Sequence, residues 1–116
     1  MVSIPNHYYK TDKSANVAIC VPVRDTVTAV FAHSLAMLMK KCGETGLSTT
    51  LHFNMGSEVA MQRQQLVDQA LETNCSHIMW IDSDMKFPVD TLNMLLSHKK
   101  DIVAGNYSTR VPPYRP

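Results

Sequence analysis

Apolar positions along the chain switch between two periodicities. Residues 17–23 (VAICVPV) form a short, nearly continuous run rich in β-branched side chains. That is the pattern of a strand covered on both faces. Pro22 lacks a backbone donor, so the ladder is expected to end near it. Val27, Val30, Phe31, Ser34, Leu35, Leu38 and Cys42 then follow 3.6-residue spacing, which predicts one amphipathic helix. Asp25 or Thr26 can cap its start, Lys40 and Lys41 suit the negative end of its dipole, and Gly43 predicts its stop. Residues 47–54 (LSTTLHFN) roughly alternate and predict a second strand. After a turn at Met55-Gly56-Ser57, with Ser57 the expected N-cap, Val59, Arg63, Leu66, Val67, Ala70 and Leu71 make a second helical stripe. Residues 77–81 (HIMWI) predict a third strand, apolar on both faces, that runs into Asp82-Ser83-Asp84. Pro88 is expected to open a third helix with Asp90 in its first turn; Val89, Leu92, Leu95 and Leu96 are its apolar side and Lys99-Lys100 its end. Residues 101–107 (DIVAGNY) predict a fourth strand.

The order β-α-β-α-β-α-β with short connections predicts an α/β fold in three layers. Its sheet should be mostly parallel, of about four strands, with helices on both faces in the Rossmann-like manner of nucleotide-binding domains. Residues 1–15 are polar and aperiodic and read as an N-terminal arm; 16–110 read as a single domain; 111–116 read as an extended, proline-rich tail. Open parallel sheets bind ligands at the carboxyl ends of their strands. Chemistry is therefore expected at 22–25, 54–58, 82–84 and 106–110.

Composition narrows the function. The chain has 116 residues, suited to one domain, with 11 Lys+Arg against 10 Asp+Glu and a net charge of +1. So neutral a chain lacks the basic footprint of phosphate-driven nucleic-acid binding. Cys20, Cys42 and Cys75 are widely spaced, with no Cys-x-x-Cys, and read as buried free thiols of a reducing compartment. No apolar leader opens the sequence and no apolar run reaches membrane-spanning length, so the expected setting is soluble and cytoplasmic. His7, His33, His52, His77 and His98 show no metal-ligand spacing, and the eight methionines read as core filler.

Asp82-Ser83-Asp84 carries the sharpest chemical signal. On an extended chain residues i and i+2 point to one side, which would bring both carboxylates within reach of one cation. At an effective dielectric of about 20, two such charges 4 Å apart repel by about 4 kcal/mol, a cost that a divalent ion removes. Oxygen-only ligands favour Mg²⁺ or Mn²⁺, ions that keep open positions for phosphate oxygens. The plainer reading is that both aspartates only cap the turn before Pro88. A Walker B strand would need a G-x-x-x-x-G-K-[ST] loop, and a dinucleotide site G-x-G-x-x-G; with glycines only at 43, 46, 56 and 105, neither exists. Arg63, on the apolar stripe near a helix start, reads as a phosphate or nucleotide contact, or as an arginine at the stripe border with its head in water. Arg24 and Asp25 read as base and ribose contacts, or as a surface arginine and a helix cap.

VAICVPVRD, MQRQQLVDQAL, HIMWIDSDMKFPVDTLNMLL and DIVAGNY, in that order, resemble the nucleotide-sugar-binding half of GT-A-fold glycosyltransferases, closest to family 2. The resemblance spans residues 17 to about 110, and its specific part is the D-x-D after the strand. It implies that Pro22, Val23 and Asp25 border the base and ribose, and that Arg63 lies near the nucleotide. It implies Asp82 on the ribose or donor sugar, Asp84 as the main metal ligand with Asp82 beside it, and Asn106, Tyr107 and Arg110, with Ser83, close to the donor or acceptor. The implied reaction is transfer of a hexose, glucose first, from a UDP-sugar to a hydroxyl of a carbohydrate, lipid or protein, with Mn²⁺ or Mg²⁺. Typical members carry a catalytic base in a later, acceptor-binding half, whereas no Asp, Glu or His follows Asp101 here. Glu58, Asp90 and Asp101 are the earlier carboxylates, and a homo-oligomer could complete the site. The competing expectations are a non-catalytic or weakly hydrolytic nucleotide-sugar-binding module, a nucleotidyltransferase that releases pyrophosphate, and a purely structural α/β domain.

Overall fold

A computed structural model describes residues 15–56 and 58–103. The elements run β1 (Asn16–Val23), α1 (Ala29–Thr45), β2 (Ser48–Met55), α2 (Val59–Glu72), β3 (His77–Trp80) and α3 (Thr91–Ser97). The three strands form one sheet in the order β2-β1-β3, and both pairings are parallel. The chain is thus an α/β protein, as the alternating periodicities predict.

The apolar run of β1 is buried because it is enclosed on both faces. Val17, Ile19, Val21 and Val23 pack with Phe31, Leu35, Leu38 and Cys42 of α1, with Ile81, and with Leu92 of α3. Ala18 and Cys20 point the other way, onto Leu66 and Ala70 of α2. Helix α2 can lie close because Ala18, Cys20 and Ala70 are small. The first crossover runs from β1 out to β2, and the second runs back from β2 past β1 to β3, so a common right-handed sense demands α1 and α2 on opposite faces. The two packing clusters place them there.

Element ends differ from the expected ones in instructive ways. Helix α1 is capped by Thr28, whose Oγ1 accepts from the Phe31 N–H at 3.1 Å, rather than by Asp25 or Thr26. It runs through Gly43 and stops at Gly46, whose φ of 78° is left-handed and suits glycine. Lys40 and Lys41 therefore lie a turn before its end, Lys40 being 3.8 Å from Glu44 one turn on. Val30 falls outside the buried stripe, 51% exposed. Helix α3 starts at Thr91 rather than at Pro88; residues before it form a turn in which the Thr91 N–H donates to the Pro88 carbonyl at 3.2 Å. Glu58 is the N-cap residue of α2, without a side-chain cap bond, and Ser57 lies outside the described residues. Strand β3 is four residues long, and His77 and Trp80 are exposed rather than covered on both faces.

The sheet has three strands among the described residues, not about four. Residues 101–103 form no ladder, and Ile102 is 92% exposed, so its side chain does not dock on the sheet. The remainder of the expected fourth strand, 104–107, lies outside the described residues, as do the arm over 1–14 and the tail over 111–116. No described helix is long and apolar enough to cross a membrane.

Phe31 is wholly buried between β1 and Phe87, its ring 6.2 Å from the Phe87 ring in an edge-on contact. Phe31→Ala is expected to cost about 3–5 kcal/mol in urea unfolding, whereas Val30→Ala next to it should change stability by less than about 1 kcal/mol.

Candidate functional site

The carboxyl ends of β1 and β3 are joined by backbone hydrogen bonds. The Ile81 N–H donates to the Cys20 carbonyl at 3.1 Å and extends the β1–β3 ladder one residue past β3. The Thr28 N–H donates to the Ser83 carbonyl at 3.2 Å. This second bond ties the residue that caps α1 to the centre of Asp82-Ser83-Asp84. The downstream side is held too: Met85 and Phe87 pack against the β1–α1 core, and the Phe87 N–H donates to Ser34 Oγ at 3.4 Å.

The backbone at the two aspartates is a turn, not an extended strand. The Met85 N–H donates to the Asp82 carbonyl at 3.2 Å, with Ser83 and Asp84 at the corner. Strand alternation therefore does not set the directions of the two carboxylates. What the turn does is hold both aspartates at the sheet rim, Asp82 exposed and Ser83 and Asp84 half-buried. Among the described residues no group of three or more His, Cys, Asp or Glu gathers for a metal. A carboxylate pair nonetheless fits Mg²⁺ or Mn²⁺ in its donor chemistry. These ions take one or two carboxylates and complete their shell with water and phosphate oxygens. Asp82 and Asp84 are the residues that would hold such an ion.

The other expected residues fall around the same rim. Pro22 is half-buried in β1 opposite Asn54, and Val23 is buried at the strand end. Arg24 and Asp25 are exposed in the bend that follows. Arg63 is exposed on α2, its guanidinium carbon 5.4 Å from the centre of the Trp80 ring. That is cation–π distance, and it sets Arg63 beside the last residue of β3, two before Asp82. Of the earlier carboxylates, Asp90 lies 3.9 Å from Lys41, while Glu58 and Asp101 are exposed. Asn106, Tyr107 and Arg110 lie outside the described residues.

Gln62 and Trp80 are the residues that the sequence pattern did not single out. Gln62 is buried on the stripe Gln62-Leu66-Ala70, one position before Arg63. Its Nε2 donates to the Val23 carbonyl at 3.0 Å and also to the Gly56 carbonyl. The Gly56 N–H in turn donates to Val23 at 3.1 Å. One side-chain amide thus locks the β2–α2 turn onto the end of β1. A Cβ at Gly56 would stand 3.3 Å from Gln62 Nε2, a tight contact that would press on the amide holding the turn. The available signal was the four-residue spacing of Gln62, Leu66 and Ala70, which is as helical as the stripe through Arg63.

The three cysteines are free, and burial opposes thiolate chemistry at two of them. Burial, reinforced by the charge of Cys75, pushes the Cys20 thiol up to about 11, and burial raises Cys42 as well. Neither is a nucleophile near neutral pH.

Comparison with protein-family models, curated proteins and solved structures finds none that matches the chain.

Two outcomes follow from this packing. Gln62→Leu removes both donated bonds, leaving the Val23 carbonyl with the Gly56 N–H alone and the Gly56 carbonyl without its Gln62 donor, with an expected loss of about 1–3 kcal/mol by urea denaturation. The alkaline limb of stability carries the second. The folded chain keeps its Cys20 proton up to about pH 11, while the unfolded thiol releases it near 9.0. Stability from this group is complete below pH 9 and declines as pH rises toward 11. Thermal unfolding at stepped pH should show that decline, and it should be shallower in Cys20→Ala.

Proposed function

We propose that this chain is a metal-dependent glycosyltransferase that takes its sugar from a nucleoside diphosphate donor, with a GT-A-type nucleotide-binding layout. The observation that carries the reading is the pinned Asp82-Ser83-Asp84 turn. It stands at the carboxyl end of β3, hydrogen-bonded through Ser83 to Thr28 at the head of α1. That rim is where open parallel sheets receive ligands. The resemblance to family 2 supports the same assignment of residues.

In this reading Asp84 and Asp82 are the residues that would hold Mn²⁺ or Mg²⁺ for a diphosphate donor. The ion, when bound, neutralises charge that develops on the departing nucleoside diphosphate. The chain's own residues position the donor. Pro22 and Val23 wall the nucleotide at the end of β1, and Arg24 and Asp25 offer a cation and a carboxylate to its base and ribose. Arg63, steadied over Trp80, brings a positive charge toward the phosphates. As the bond from the anomeric carbon to the diphosphate oxygen breaks, that carbon becomes oxocarbenium-like; an acceptor hydroxyl bonds to it and releases its proton to solvent.

Titration calorimetry with UDP, with and without Mn²⁺, tests the binding half of the reading. Asp84→Asn is expected to weaken Mn²⁺-dependent UDP binding at least about tenfold, or 1.4 kcal/mol, with an unchanged circular dichroism spectrum. Equal affinity in the variant overturns the metal assignment. Incubation with Mn²⁺ and a panel of nucleotide sugars tests the chemical half. Transfer to a hydroxyl acceptor with release of nucleoside diphosphate is the expected result. Slow hydrolysis without transfer assigns a binding module instead, and release of pyrophosphate assigns nucleotidyl transfer.

A further inference from the structure

Strand β2 reverses the usual burial of an amphipathic strand. Its polar side chains Thr50, His52 and Asn54 are half-buried. Asn54 Nδ2 donates to Gln65 of α2 at 2.6 Å, and Thr50 Oγ1 lies 2.8 Å from His52 Nε2. The apolar ones face outward: Leu51 is 38% exposed, Phe53 43% and Met55 66%. The β1–β2 register explains the reversal. Leu51, Phe53 and Met55 stand opposite Ile19, Val21 and Val23, so they share the α1 face of the sheet. Helix α1 spends its apolar stripe on β1, however, and leaves the outer row uncovered. Strand β2 is also an edge among the described residues. Natural edges are blunted with charges, prolines or bulges. The segment Ser48–Met55 (STTLHFNM) contains no charged residue and no proline, and its eight residues pair with β1 without a bulge.

We propose that β2 pairs antiparallel with β2 of a second copy of this chain, about a two-fold axis at Phe53. In this register Phe53 faces Phe53 of the second copy, and Leu51 faces its Met55. The apolar row is a palindrome in kind about Phe53, as a two-fold interface requires. Each cross-strand apolar pair then sits about 5 Å apart, within stabilising reach. The neighbouring layer also fits. Three strand intervals of about 4.8 Å separate β1 of one copy from β1 of the other, or about 14 Å in all. Helices about 10 Å wide that lie over the two β1 strands leave a narrow slot between them, and the Leu, Phe and Met side chains of both copies fill it. With no charge on the strand and a net charge of +1 on the chain, like-charge repulsion is slight. A foreign extended segment could satisfy the same backbone edge, but nothing on β2 selects one by charge, whereas its own row matches itself. A strand of this length gives an interface at the low end of the specific range, below about 1,200 Å² in total, so the association is concentration-dependent rather than obligate.

Sedimentation velocity of the full chain between roughly 1 and 500 micromolar tests the pairing over the range that a low-area interface covers. The expected result is a monomer–dimer equilibrium that Phe53→Lys shifts at least about tenfold toward monomer. A cross-linking arm reads the register without depending on that variant's folding. In a Cys75→Ser background, Phe53→Cys should be joined to its own copy by a short bis-maleimide, while Leu71→Cys, on the exposed side of α2, should not. A monomer throughout the range overturns the proposal, as it would if residues 1–14 or 104–116 cover the edge. A dimer indifferent to Phe53→Lys, or equal cross-linking at both positions, overturns it as well.

Discussion

The backbone of β1 meets a strand on each edge and helices on each face, and its residues 17–21 are wholly buried. Every peptide group there has to find its partner in β2 or β3, because no water reaches it. That requirement places β1 between two strands, and the helical crossovers make both pairings parallel. It also sorts side chains by parity. Large β-branched residues at 17, 19, 21 and 23 take the spacious face under α1 and α3, and the small Ala18 and Cys20 take the close face under α2. The same crowding holds the Cys20 thiol neutral and makes it a packing element rather than a reactive one.

From that centre the rim inherits its order. The strand ends at Val23, and the next polar groups must be satisfied without a ladder. The Val23 carbonyl is taken by Gly56 and Gln62, and the Ser83 carbonyl by Thr28. The loops that follow all three strands are therefore tied to one another or to a helix start. The proposed binding of a flexible diphosphate would gain from such fixed walls, because less ordering entropy is lost when a ligand meets a pre-formed site.

The sequence made the alternation of strands and helices legible, because β1 and α1 carry strong and distinct periods. It also located Asp82-Ser83-Asp84 at a strand end. The direction of its two carboxylates was not legible, since the extended-chain rule fails where Met85 closes a turn on Asp82. Helix ends were misplaced where two stop signals compete. Gly43 and Gly46 are both plausible caps, and the packing of Cys42 against β1 carries the helix past the first to the second. For β2, alternation identified a strand but not which face would be covered. Coverage depends on where α1 lies, a tertiary fact that no local pattern holds.

The position of Arg63 follows from its neighbour. Helix α2 has a weak apolar stripe, with Val59 and Leu71 exposed, so hydrophobic burial alone leaves its rotation poorly fixed. The buried amide of Gln62 removes that freedom, because its two carbonyl partners lie in different segments, at the end of β1 and in the turn after β2. With Gln62 pointing inward, the next residue is rotated about 100° around the axis, given 3.6 residues per turn. In this fold that turn carries Arg63 over Trp80. The arginine charge over the last residue of β3 is thus held there by a neutral side chain one residue earlier, through the phase of the helix that both share.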